Sequence, residues 1–246
     1  MHPILFKFGP ITLYSYGLFL ALGFLAAITL SLRRASQSGI DPRRIQNLGL
    51  LSLLAGLVGA RLTYVALDWD SFRSDPWEII KLHHGGLVFY GGVASGLLAG
   101  MGYLRRCKLP VVKTLDLLVP ALVLGHAIGR IGCFLNGCCR GKPTGTAFGV
   151  AFPPEGIACH PTQLYESAAL FLLFFFLLTL QRRKIAPGTM LLAYGLVYGI
   201  WRFGIEFLRD NLVFAFGLTA FQWMSLPLVI GCGWALLARK ILTKDR

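Results

Sequence analysis

The stretch ITLYSYGLFLALGFLAAITLSLRR (Ile11–Arg34) sets the class of this chain. From Ile11 to Leu32 it carries no charged side chain, and it ends on the pair Arg33 and Arg34. Crossing the hydrocarbon core of a bilayer takes about twenty apolar residues, and cations directly after such a run mark its cytoplasmic end. Further apolar runs follow at Gln46–Leu67, Gly85–Leu104, Leu115–Leu135, Leu164–Leu180, Gly188–Leu208 and Gly217–Ala238. The expectation is an all-α integral membrane protein, a bundle of about seven transmembrane helices. Neither an internal repeat nor a low-complexity linker divides residues 1–246, so one transmembrane domain is expected, with an outer loop at 137–163.

Composition excludes the alternatives. The 246 residues are 55% hydrophobic and only 14% charged, with a mean hydropathy of +0.64. A soluble domain carries roughly a quarter of its residues as charges. The net charge of +13 does not indicate a nucleic-acid partner, because the cations sit in short clusters between apolar runs rather than on a polar foldable surface. The first apolar run has neither the basic leader nor the small-residue cleavage site of a signal peptide, and reads as a retained span.

Those clusters give a topology. Arg33, Arg34, Arg43 and Arg44 follow the first run; Arg105, Arg106, Lys108 and Lys113 follow the third. Arg182, Arg183 and Lys184 follow the fifth, and Arg239, Lys240, Lys244 and Arg246 close the chain. The connection Asp68–His84 instead holds four acidic residues against Arg73 and Lys81. The positive-inside rule then places the N-terminus outside and the C-terminus in the cytoplasm.

Charges inside spans cost at least about 2.5–3.5 kcal/mol at the helix centre, which makes a retained one a functional candidate. Arg61, Arg130, Glu166, Arg202 and Glu206 are such residues, and by depth they fall in the outer half together with Tyr16 and Tyr90. Any one of them could be a snorkelling side chain, but snorkelling does not account for the set. Tyr194, Tyr198, Arg202 and Glu206 recur every four residues on one helical face, with Arg202 and Glu206 spaced to pair. The same stripe could glue helices by hydrogen bonds. His126 and Arg130 also share a face. Guanidinium matches phosphate oxygens bidentately, and at this depth the abundant phosphate belongs to lipid. A transporter for a small anion is the rival on chemistry alone, although it would be expected to show internal repeats or paired broken helices near the midplane.

Four longer stretches carry a family likeness. GGLVFYGG (Gly85–Gly92), GRIGCFLNG (Gly129–Gly137) with Gly141 after it, HPTQLYE (His160–Glu166) and YGIWRFGIEFLR (Tyr198–Arg209) resemble the motifs of prolipoprotein diacylglyceryl transferases. YSYGLFLALGF near the N-terminus and Val58–Tyr64 also fit, so the likeness runs from about Tyr14 to Leu226. It implies a seven-helix enzyme of the bacterial plasma (inner) membrane, working at the outer face. Its partners would be phosphatidylglycerol, surrounding membrane lipids and the signal peptide of a preprolipoprotein. The diacylglyceryl group would pass to the lipobox cysteine thiol, releasing glycerol 1-phosphate, with no metal or diffusible cofactor. On the matching positions, Arg130, Arg202, Glu206 and Tyr90 are expected to be catalytic. Tyr16, Arg61, Asn136, Gly141, His160 and Tyr198 are expected around the substrates.

Two departures bear on mechanism. Tyr90 stands where the family usually has a histidine often cast as the base for the thiol. Either the arginine field lowers the pKa of the incoming thiol, or His84, His126 or His160 substitutes. Cys133 and Cys138 stand where Asn and Glu are common, and Cys139 and Cys159 lie nearby. A disulfide suits an outer compartment; unpaired thiols and a metal site are the alternatives, the last without a recognised ligand spacing. A relative acting on another thiol or lipid is the alternative within the family.

Overall fold

The computed structural model describes residues 1–9, 11–81, 85–153, 156–183 and 185–244. Eight α-helices account for most of them: α1 (Ser15–Gln37), α2 (Pro42–Leu67), α3 (Trp69–Ser74), α4 (Phe89–Arg106), α5 (Val111–Asn136), α6 (Thr162–Gln181), α7 (Thr189–Ile205) and α8 (Ala220–Lys244). Six of these, α1, α2, α5, α6, α7 (with the 3-10 turn Glu206–Leu208) and α8, are long and apolar enough to cross a membrane. The helix at the place of the expected third span, α4, has 18 residues and ends on Arg105 and Arg106, and it is not among the six. The helices leave large side chains such as Leu25, Leu54, Leu98, Leu172 and Trp234 more than half exposed, a surface suited to lipid rather than water.

Among the described residues, three short antiparallel hairpins are added to the helices: β1 (Ile4–Phe8) with β2 (Ile11–Tyr14), β3 (Val150–Phe152) with β4 (Ile157–Cys159), and β5 (Val213–Ala215) with β6 (Leu218–Thr219). The first shortens the expected first span, because Ile11–Tyr14 pairs with the preceding aromatic strand instead of entering α1. A β-branched and aromatic run following a glycine at positive φ (Gly9, 58°) favours that pairing. The second hairpin occupies the expected outer loop, whose last two residues, Thr162 and Gln163, already belong to α6.

Helix ends follow from local chemistry. Asp41 accepts a hydrogen bond from the Arg43 backbone N–H at 2.9 Å, and Pro42 opens α2. α7 begins after Gly188, whose φ of 90° suits glycine. Asp116 of α5 accepts from the Leu191 N–H at 3.0 Å, placing a carboxylate at the positive end of α7.

The chain divides into two compact units, residues 1–30 with 115–246 and residues 31–114. The first has a core of Val119, Val123 and Ala127 from α5, Leu170 and Leu177 from α6, and Met190 from α7. In the second, α2 and α4 approach backbone to backbone. A β-carbon on Gly92 would stand 3.0 Å from the Gly56 carbonyl oxygen, and one on Gly91 would stand 2.9 Å from that of Gly59. Packing of this kind is how helices associate where lipid tails remove the hydrophobic driving force.

Candidate active site

In the larger unit, α5, α6 and the end of α7 bring five charged side chains together. Glu166 lies in the first turns of α6 with its side chain fully buried. Its Oε1 accepts hydrogen bonds from Arg130 Nη2 at 2.9 Å and from the Tyr198 hydroxyl at 3.0 Å. His126 Nε2 lies 3.7 Å from the same oxygen, and Arg209 Nη1 lies 3.7 Å from Oε2. Glu206, also buried, pairs with Arg202 at 3.2 Å, as the four-residue spacing predicts. Its Oε1 accepts from Thr219 Oγ1 at 2.9 Å and from the Asn211 amide. Arg209 Nε stands 4.0 Å from Glu206, so this arginine bridges the two carboxylates.

Three guanidinium groups, those of buried Arg202 and Arg209 and of half-buried Arg130, therefore face two buried carboxylates, leaving one positive charge in excess. Taking ions out of water costs several kcal/mol each unless pairing and hydrogen bonds compensate. Here compensation is incomplete. Arg130 Nε, Arg202 Nη1, and Arg209 Nε and Nη1 are buried without a hydrogen-bond partner among the described residues. Arg202 also lies over the Phe221 ring at 4.4 Å, a cation–π contact that holds the side chain while leaving N–H groups free.

The loop before α6 is stitched to this centre. The Gly141 N–H donates to the His160 carbonyl at 2.9 Å, and the Lys142 N–H to the Leu208 carbonyl at 2.7 Å. Gly141 also forms a β-bridge with Arg209, and any β-carbon there would collide with the Leu208 carbonyl. Glycine is thus required for the loop to lie against the residue that carries the third guanidinium. Two cavities border the centre. A polar one of about 300 Å³ is lined by Cys139, Arg140, Gly141, Arg209, Asp210 and Asn211 among others. An apolar one of about 370 Å³ runs between α6 and α7, from Phe176 and Leu173 to Tyr198 and Trp201.

The remaining expected residues are placed as follows. Tyr198 stacks on Tyr194 with ring centroids 5.6 Å apart and meets the His126 ring edge-on at 5.6 Å. Half-buried His160 has Nδ1 3.5 Å from the Tyr165 hydroxyl. Asn136 is exposed at the last residue of α5, and Tyr16 is exposed at the start of α1. Arg61 and Tyr90 belong to the smaller unit. Arg61 is buried, and it donates from Nε to the Ile79 carbonyl at 2.9 Å, from Nη1 to Gly85 and Gly86, and from Nη2 to Glu78 and Lys81. Tyr64 and Phe72 pack around it. In the segment it gathers, a hydrogen bond from Lys81 to Glu78 at 2.9 Å raises the lysine pKa above its ordinary value. Tyr90 lies in the first turn of α4 and is largely exposed, and His84 lies outside the described residues.

Two members of the centre were not among the expected site residues. Glu166 stood out in the sequence only as a charge within a span. Arg209 lies just past the sixth apolar run, although its spacing of three from Glu206 carried the signal.

These features define a polytopic helical membrane protein whose larger unit holds three arginines gathered around two buried carboxylates. A model of the prolipoprotein diacylglyceryl transferase family matches residues 3–238, and the chain belongs to that family. Among its relatives, the phosphatidylglycerol–prolipoprotein diacylglyceryl transferase of Clostridium tetani is 39% identical over 216 residues, covering 86% of each chain. The second such protein of Clostridium perfringens is 33% identical over 237 residues, 94% of this chain and 93% of its own. That of Pseudoalteromonas atlantica is 34% identical over 96% of this chain and 88% of its own.

Proposed function

We propose that this chain transfers the diacylglyceryl group of phosphatidylglycerol to the lipobox cysteine of a preprolipoprotein signal peptide, at the outer face of a bacterial plasma membrane. The carrying observation is the set of buried guanidinium nitrogens on Arg130, Arg202 and Arg209 that make no hydrogen bond among the described residues. Phosphate oxygens are the acceptors such a fork fits best. The apolar cavity beside Tyr198 suits acyl chains, and the polar one beside Arg209 suits a head group or peptide.

In the reaction, the thiolate sulfur bonds to the glyceryl carbon while the bond from that carbon to the phosphate oxygen breaks. The electron pair leaves on oxygen as glycerol 1-phosphate. Arg130 and Arg202 hold the phosphate and stabilise the charge developing on the leaving group. Glu206 orients Arg202, and Glu166 orients Arg130 and Tyr198. The excess positive charge favours the thiolate of the incoming cysteine, so that Tyr90 need not act as a base. Tyr16, Asn136 and His160 contact the substrates. Gly141 and Arg61 serve them indirectly, Gly141 by fixing the loop and Arg61 by holding the backbone at residues 78–81 and 85–86.

The test is rescue of a strain depleted of its own transferase, read by the mass of a model lipoprotein. A gain of one diacylglyceryl group supports the reading. An unmodified lipoprotein despite normal membrane expression overturns it, and modification by a different mass would mark a relative acting on another lipid.

A further inference from the structure

Cys133 lies in the last turn of α5, and Cys138 and Cys139 lie in the turn that follows. Their three Sγ atoms are all within 4.8 Å of one another. Three thiolates around one ion at a metal–sulfur distance of about 2.3 Å would stand about 4 Å apart, so small side-chain adjustments close the set. A disulfide would use two of these sulfurs and leave the convergence of the third unexplained.

The turn is shaped for this convergence. Gly137 and Cys139 adopt φ of 76° and 61°, the second a conformation that non-glycine residues rarely take. It reverses the chain so that Cys139 returns toward the helix it has just left. Two fully buried side chains of α6 hold the reversal in place, Gln163 donating to the Cys138 carbonyl and Thr162 Oγ1 to the Cys139 carbonyl at 2.9 Å. The Cys138 N–H closes the turn on the Cys133 carbonyl at 3.2 Å. Charge is also arranged for it. Three thiolates and a divalent ion sum to one negative charge; Arg130 lies one helical turn before Cys133, and Arg209 lines a cavity with Cys139. That cavity gives the ion a path and a fourth coordination position.

We propose that Cys133, Cys138 and Cys139 form a tris-thiolate site for one soft, thiophilic metal ion of the zinc class. Thiolate ligands select such ions over magnesium or calcium. The site does not depend on the reaction proposed above, and its test reads metal rather than transfer.

The full chain is purified in detergent under reducing conditions, stripped with a chelator and titrated with Cd2+, following the sulfur-to-metal charge-transfer absorption, with Zn2+ as competitor. One equivalent should bind. Cys133→Ser, Cys138→Ser and Cys139→Ser should each weaken binding by more than the roughly 10–100-fold that loss of an outer partner costs. Cys107→Ser and Cys232→Ser should leave it unchanged. X-ray absorption at the zinc edge of the unsubstituted protein should give three sulfur neighbours at about 2.3 Å, a readout that needs no variant to fold. Absence of stoichiometric binding by the reduced protein, an edge spectrum with only oxygen and nitrogen neighbours, or a disulfide joining two of the three cysteines in protein isolated without reductant would each overturn the proposal.

Discussion

Arg61 and the trio Arg130, Arg202 and Arg209 are buried arginines in an apolar protein (Arg130 half-buried), yet the two settings use the same group in opposite ways. Around Arg61, every guanidinium nitrogen meets a neutral backbone carbonyl, and the side chain becomes a staple for the segment leading toward α4. Around the trio, the acceptors are two carboxylates shared among three cations, and donors are left over. Carbonyls consume hydrogen bonds without cancelling charge. Carboxylates cancel charge while consuming few N–H groups, so binding capacity remains in the second setting and not in the first.

The largest effect should come from emptying the second setting. Arg130→Ala and Arg202→Ala should each lower transferase activity by about 10²–10³-fold, the usual cost of removing one donor aimed at developing charge. Arg130→Lys should not restore it, since an ammonium lacks the planar fork. Activity assays on membranes with matched protein levels check this. Next, Glu166→Leu strands Arg130 and leaves Arg209 with Glu206 alone, and should cost roughly 3–5 kcal/mol, read as denaturant-induced unfolding in detergent. For Arg61→Lys, two donors vanish at about 0.5–1.5 kcal/mol net each. Unfolding should shift by about that much while the KM for phosphatidylglycerol stays constant; a raised KM at unchanged stability would erase the contrast between the two settings. The smallest effect is expected from Tyr90→Phe. Its ring is largely exposed, and the variant should retain most transfer of diacylglyceryl to a lipobox peptide. Complete loss with normal expression would show that the arginine field does not suffice to activate the thiol.

Much of the fold was legible because it depends on local pattern. The runs that became α2, α5 and α6 announce themselves by length and apolarity, and the Arg202–Glu206 pair follows from a spacing of four on one helix. The Glu166–Arg130 pair, 36 residues apart on different helices, could not be read that way, because only packing decides which faces of α5 and α6 meet. The cysteines show the same limit in a turn. Their spacing matches no familiar ligand pattern, and the φ of Cys139 that brings the third sulfur back is invisible in the order of residues. Strand β2, just before α1, falls inside the first apolar run, since hydropathy does not distinguish a hairpin strand from the first turn of a helix.

The contact of α2 with α4 through glycine has a consequence for how the smaller unit keeps its alignment. Where side chains interlock, a helix can settle into a neighbouring groove after mutation. Where backbone touches backbone, as at Gly56 with Gly92 and Gly59 with Gly91, the seam behaves as a ruler with fixed notches. Arg61 stands two residues beyond one of those notches. A slip of one helical turn, about 5.4 Å, would carry its guanidinium away from the carbonyls it gathers. Alignment of the carbonyls at residues 78–81 and 85–86 is thus recorded in residues that have no side chains, and a single added methyl group is enough to misread it.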